Sequence, residues 1–171
     1  MQYENVIFPD SIGFQCENCG ICCKNQPPDI NFKEQQIIEA KGYMNFLEEP
    51  NNPNNRNIRR NKDGSCFFLS NTNKCKIHAA KPLTCILDPF IITNFDHKTN
   101  RIFLGLNPLA TKNCKGVFAR DIIAIKEIAN AAQTIIKEYS EIIAEKTGLS
   151  VADRKVAFLT KKLVRDFNRP E

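Results

Sequence analysis

Four cysteines fall within eight residues, Cys16-Glu17-Asn18-Cys19-Gly20-Ile21-Cys22-Cys23, and no other feature so narrows what this chain can fold into. Two thiolates separated by two residues can chelate one zinc ion or one iron–sulfur cluster from a single turn. Two such turns overlap here as CxxCxxC, with a further cysteine appended. Cys66, Cys75, Cys85 and Cys114 bring the total to eight. The pattern implies a chain built around a metal centre.

The competing use of so many cysteines is a disulfide framework, which belongs to oxidising compartments. The N-terminus, Met1-Gln2-Tyr3-Glu4-Asn5, has no basic region followed by an apolar run, as a secretory signal would. No apolar stretch reaches the roughly 20 residues of a membrane helix. A cytoplasmic location without a membrane partner is therefore expected, and cytosolic cysteine clusters are metal sites or catalytic thiols. Cys22 and Cys23 also argue against disulfides, because adjacent side chains diverge and each would need its own distant partner.

The 171 residues suffice for one domain with a real core. A net charge of +5 is modest for a nucleic-acid footprint. The densest basic run, Arg56-Asn57-Ile58-Arg59-Arg60-Asn61-Lys62, follows the turn-rich Asn51-Asn52-Pro53-Asn54-Asn55 and has no interleaved aromatics to stack on bases. It reads as a solvated loop, and a nucleic-acid partner is not expected.

Composition divides the chain into a cysteine-cluster region, residues 1–116, and a cysteine-free helical region, residues 117–171, the two together forming one structural domain. In the second region, Ile122, Ile125, Ala129, Ala132, Ile136, Tyr139 and Ile143 recur at steps of three and four, the spacing of one helix face. Gly148 is a plausible stop, and Ser150 with Asp153 resembles a capping box opening a second helix through Val156, Leu159, Leu163 and Phe167. A C-terminal helical hairpin packed on the cysteine-bearing part is expected. In the first region, Asn31 and Glu34 cap a helix through about Lys41. Cys66-Phe67-Phe68-Leu69 and Lys74-Cys75-Lys76-Ile77-His78 suggest a β-hairpin, and 90–93 with 101–104 suggest another. The fold class is thus α+β: a small cysteine-rich metal-binding part with short helices and β-hairpins, followed by the helical hairpin.

Two metal chemistries fit the cysteines. A tetrahedral zinc ion takes four thiolates, and eight cysteines suffice for two such ions, although nothing in the spacing assigns pairs. CxxCxxC also matches the first three ligands of a bacterial-type [4Fe–4S] site, with Cys85 or Cys66 as the fourth; Cys23, directly after the third cysteine, departs from that run. Radical enzymes that use S-adenosylmethionine would carry CxxxCxxC instead. Calcium and magnesium want clustered oxygen ligands, which the chain lacks. His78 could be an auxiliary ligand, but an ordinary polar residue at a strand end is the preferred reading. His97, in a hairpin loop, is expected to face solvent.

These residues together resemble the CxxCxxCC cysteine cluster family of zinc- or iron-chelating domains. The resemblance runs from Phe14 through the octet and continues with Asp63-Gly64-Ser65-Cys66-Phe67-Phe68-Leu69, Cys75-Lys76-Ile77-His78 and Lys81-Pro82-Leu83-Thr84-Cys85, then Pro89-Phe90. It ends at Cys114-Lys115-Gly116. Lys81 and Ile86 stand where the family usually has arginines, and His78 where it has an aromatic. Lys81 keeps the charge without bidentate geometry. The resemblance implies a zinc or iron centre held by Cys16, Cys19, Cys22, Cys23, Cys66, Cys75, Cys85 and Cys114. It implies no reaction: one family branch is fused to flagellin lysine N-methylase, but this chain has no glycine-rich turn suited to S-adenosylmethionine.

The expected function is metal binding, either zinc or iron and including an iron–sulfur cluster such as [4Fe–4S], in a non-catalytic or metal-handling role. The alternative is an iron–sulfur redox or enzyme-associated protein. No catalytic constellation is evident, since a thiol enzyme would need a histidine base and only His78 and His97 exist. A protein partner is conceivable but unidentified.

Overall fold

A computed structural model of the protein describes residues 1–147 apart from 11, 26, 53, 54, 97 and 119–124. Among these, four strands form one mixed sheet in the order β1-β2-β4-β3, where β1 is Gln2–Tyr3, β2 Val6–Ile7, β3 Phe90–Asp96 and β4 Arg101–Leu106. The helices are α1 (Ile21–Asn25), α2 (Phe32–Ala40), α3 (Leu83–Leu87), α4 (Pro108–Asn113) and α5 (Ile125–Thr147). The architecture is α+β. None of these helices is long and apolar enough to cross a membrane.

The expected hairpin at 90–104 is present. β3 and β4 pair antiparallel from Phe90↔Leu106 to Asp96↔Arg101, with a shift between Ile92 and Asn94. There the Thr93 hydroxyl donates to the Phe103 carbonyl at 3.0 Å. Asp96 closes the turn by accepting from the Lys98 amide and the Thr99 hydroxyl. β2 lies parallel to β4 and antiparallel to β1. The β1–β2 turn was not expected, because two-residue strands are too short to carry an alternation signal.

Alternation does direct β4, which buries Ile102 and Leu104. Against them α5 lays Ile128, Ala129, Ala132 and Ile136, with Ile125 and Ile135 partly buried beside them. Lys126, Glu127, Lys137 and Glu141 are exposed. Phe90 sits at the centre of this core and meets the rings of Phe8 and Phe14 edge-on at 5.6 and 5.7 Å. The second helix of the expected hairpin, from Ser150 onward, lies outside the described residues, as does Ile122.

A second core collects Ile30, Ile38, Phe46, Leu47, Ile58, Cys66, Phe68 and Ile77 under the irregular first half. The hairpin expected at 66–78 is not a ladder. It pairs at one bridge, Leu69↔Cys75, flanked by the Ser70 amide to Lys74 oxygen and Lys76 amide to Phe68 oxygen bonds. The Leu69 amide turns back to the Cys66 carbonyl at 2.9 Å, so the chain curls locally instead of extending. The basic run also differs from a solvated loop. Ile58 is buried, Arg59 lies 4.2 Å from the Phe67 ring centroid, and Arg56 covers Phe32 while donating to Gln35. Cation–π contact and one buried isoleucine hold it down.

α2 follows its sequence signal. The Asn31 side chain accepts from the Glu34 amide at 2.8 Å, and Glu34 accepts in return from the Asn31 amide at 2.7 Å. The other Glu34 oxygen accepts from the Leu83 amide at 2.6 Å, the first residue of α3. One carboxylate therefore satisfies the open ends of two helices.

Asn31→Ala is expected to cost about 1 kcal/mol, lowering the melting midpoint by about 2–4 °C for a chain of this size, as measured by thermal unfolding. Burial pushes the Glu34 carboxyl above its ordinary 4.5, against the hydrogen bonds from Leu83 and Asn31. The folded state then holds the proton more tightly. The resulting stability is fully present below the ordinary value and is lost as pH rises through the raised one. Urea unfolding from pH 4 to 7 should show this fall in the wild type and a weaker one in Glu34→Gln.

Candidate metal centre

The octet begins as irregular chain and ends as helix. The Gln15 amide donates to the Gly116 carbonyl at 3.0 Å, which sets Cys16 beside the segment that carries Cys114. Asn18 and Gly20 take left-handed backbone, φ 52° and 72°, bending each CxxC turn. A Cβ at Gly20 would stand 2.7 Å from the Asn73 carbonyl oxygen and 3.0 Å from Leu69 Cδ1, so glycine lets the octet pack on the Ser70–Lys74 turn. Gly116 is tighter still, since a Cβ there would come 1.9 Å from the Gln15 oxygen.

α1 then carries Cys22 and Cys23. Successive helical residues point about 100° apart, and the two thiols meet different surroundings. Cys23 packs against the second core, and its carbonyl accepts from the Cys66 amide at 2.7 Å. Cys22 is exposed, but its sulfur is crowded; a hydrogen bond with Cys23, followed by desolvation, pushes its thiol up. All eight cysteines are free thiols.

The later cysteines have a common local geometry. Cys66, Cys75 and Cys114 each receive a backbone N–H from two residues on, from Phe68, Ile77 and Gly116 respectively. An amide aimed at sulfur favours the thiolate, the form that binds metal. Burial acts first and in the opposite direction, so all three thiols lie above their ordinary value. Lys81 is close enough to Cys75 to offset part of that rise. The charge at this position is therefore felt at a thiol even without a guanidinium. Cys85, in the middle of α3, is also raised, mainly by burial.

Charges reach between particular thiols. Cys22, Cys66 and Cys75 act on Cys85, and Cys22 acts on Cys66 and Cys75. Cys114 is acted on by Cys19 and Cys16 instead. Asp88, just beyond α3, reaches Cys22, Cys85 and Cys114. Its own carboxyl is raised by burial, partly countered by a hydrogen bond from Asn107. Sequence reasoning missed Asp88, whose only signal was a carboxylate three residues beyond a cysteine. His78 Nε2 lies 3.1 Å from the Asn18 side-chain oxygen, an exposed contact on the first CxxC turn. His97 lies outside the described residues. Among the described residues no three His, Cys, Asp or Glu side chains stand together closely enough to hold one ion. The thiols are within electrostatic reach rather than ligand distance. Their donor type still fits zinc or iron: soft sulfur, partly desolvated, with backbone amides turned toward it.

Residues 15–103, more than half of the chain, match the CxxCxxCC family, described as "Putative zinc- or iron-chelating domain", and the protein belongs to that family. It is also similar to Uncharacterized protein MJ0661 of Methanocaldococcus jannaschii, with 25% identity over 144 residues, covering 77% of this chain and 72% of that protein. No solved structure matches the chain.

Gly116→Ala is expected to break the Gln15–Gly116 contact and cost about 1–3 kcal/mol, the usual penalty for forcing atoms into filled space, read as a lower urea midpoint. In reduced, metal-free protein, iodoacetamide should modify exposed Cys16 before Cys85, as followed by peptide mass mapping. Faster modification of Cys85 would contradict its enclosure.

Proposed function

We propose that the protein binds zinc or iron through thiolates drawn from Cys16, Cys19, Cys22, Cys23, Cys66, Cys75, Cys85 and Cys114. Its role is metal handling or structural chelation rather than catalysis. The carrying observation is the set of free, partly desolvated thiols at Cys66, Cys75 and Cys114, each with a backbone amide two residues on that offsets part of the rise caused by burial. Membership of a zinc- or iron-chelating family supports the same reading. Residues 1–116 supply the ligands, and the helical region from 117 supports them as part of the same domain. A cytoplasmic setting suits the proposal, because the thiols must stay reduced.

An iron–sulfur centre with a redox role is the second reading, favoured by the overlapping CxxCxxC turns. Anaerobic purification, metal analysis and a visible spectrum separate the two. Colourless protein with stoichiometric zinc supports the first; brown protein with iron and acid-labile sulfide supports the second. Fully folded protein that neither carries nor takes up either metal would overturn both.

Metal binding should release protons. The thiols of Cys66, Cys75, Cys85 and Cys114 are raised and must be deprotonated to ligate. Zinc affinity is therefore expected to rise steadily from pH 6 to pH 8, as measured by competition with a chromophoric chelator. A pH-independent affinity, after correction for the chelator, would contradict thiol ligation.

A further inference from the structure

We infer that the basic segment 56–62 is a docking surface for single-stranded nucleic acid, with Arg59 over Phe67 and Arg56 over Phe32 as its stacking planes. The surface uses none of the eight cysteines, so it goes beyond chelation and stands independently of it.

Residues 56–62 hold Arg56, Arg59, Arg60 and Lys62 and no acidic residue, so a chain of net charge +5 keeps much of its excess in one short stretch. On its own, such a run has nothing to stack on bases. The fold supplies what the run lacks. The Ile30 amide donates to the Arg56 carbonyl at 3.2 Å, which brings Phe32 alongside. The Phe67 amide donates to the Arg59 carbonyl at 3.1 Å. The guanidinium carbons of Arg56 and Arg59 then stand 5.1 and 4.2 Å from the Phe32 and Phe67 ring centroids. Cation–π pairs occur about once in 70–80 residues. Here two arise three residues apart, at most about 11 Å along the backbone.

The surface is both fixed and open. Ile58, between the two arginines, is buried, and the Arg59 amide donates to the Phe46 carbonyl at 2.8 Å, so the segment is ordered before any ligand arrives. Phe32 is 56% exposed, Arg59 and Arg60 are exposed, and Phe67 is partly so. Tyr43 widens the platform. Its ring and that of Phe67 both meet Phe68 edge-on, at 5.3 and 5.1 Å, and its hydroxyl donates to the carbonyl of exposed Lys76 at 3.1 Å. Asp63, the acid on the adjoining turn, is engaged by the Ser65 amide and hydroxyl.

Chemistry selects the partner. Phosphates pair with the exposed cations, whereas bases need flat faces. A guanidinium placed over a ring offers its outer face to a base, and a half-exposed phenylalanine offers its own. An acidic peptide would use the charges and leave those faces idle. A duplex keeps its bases stacked inside, so only a single strand uses both features.

The test is fluorescence anisotropy of a labelled single-stranded oligo(dT) of about 12 nucleotides, within the site size of small single-strand binders, titrated with the full-length protein under anaerobic conditions. Wild type should bind, with log K falling against log salt at a slope of about −2 to −3, as expected for about three or four neutralised phosphates. Phe32→Leu keeps the apolar volume at an exposed position and should weaken binding at least about fivefold with the slope unchanged. Arg59→Lys keeps the charge but loses the plane, and should weaken binding by a similar factor. Poly-glutamate and a DNA duplex of the same length should compete at least about tenfold less well. Circular dichroism checks that each variant is folded. Equal competition by poly-glutamate, or an affinity unmoved by both substitutions, would overturn the proposal in favour of a general surface for acidic partners. Absence of binding at low salt would overturn it outright. None of these outcomes bears on chelation, which is read from metal content.

Discussion

The bond from the Cys66 amide to the Cys23 carbonyl is the contact on which the cysteine-bearing half depends. An eight-residue segment with four thiols has little apolar surface of its own to bury. Its place must come from its neighbours, and this bond fastens its helical end to the segment that begins the second core. Phe68, two residues beyond Cys66, meets Tyr43, Phe46 and Phe67 at ring separations of 5.1–5.4 Å. The thiols are thus carried on the rim of an aromatic core rather than on a free loop. The opposite end of the octet is fastened to the sheet side through Gly116, so the segment spans two hydrophobic clusters.

That arrangement accounts for the opposing influences on the later thiols. Proximity to the cores strips water from sulfur and favours the neutral form, while the amides of Phe68, Ile77 and Gly116 favour the charged form. A bound metal ion would reverse the balance by supplying positive charge where water is scarce. Desolvated sulfur with preset amide donors is poorly served as a thiol and well served as a ligand.

Local signals were legible in the sequence, and relations between distant segments were not. The Asn31–Glu34 box and the Phe90–Leu106 hairpin could be read because their residues are neighbours along the chain. The stripe on α5 could be read because one periodicity runs through it. The 66–78 segment misled because its β-forming residues lie on a curl fixed by the Leu69–Cys66 bond. Arg56 and Arg59 looked solvated because their partners, Phe32 and Phe67, are set by tertiary packing. All eight cysteines could be named as candidate donors, but that the segments of Cys16 and Cys114 lie side by side depends on Gly116 meeting Gln15, a contact about a hundred residues apart in sequence. Asp88 was hidden for the same reason, since burial is not written in a single carboxylate.

The dual role of Glu34 reaches further than helix capping. α3 has five residues, far below the length at which a helix sustains itself in water. Its order is borrowed: from Pro82 before it, from α5 packed beside it, and from the Glu34 oxygen on its first amide. Cys85 sits in the middle of that borrowed helix. The position of one half-buried cysteine is therefore set by a carboxylate some fifty residues earlier in the chain, and a disturbance at the start of α2 would be felt as a misplaced sulfur.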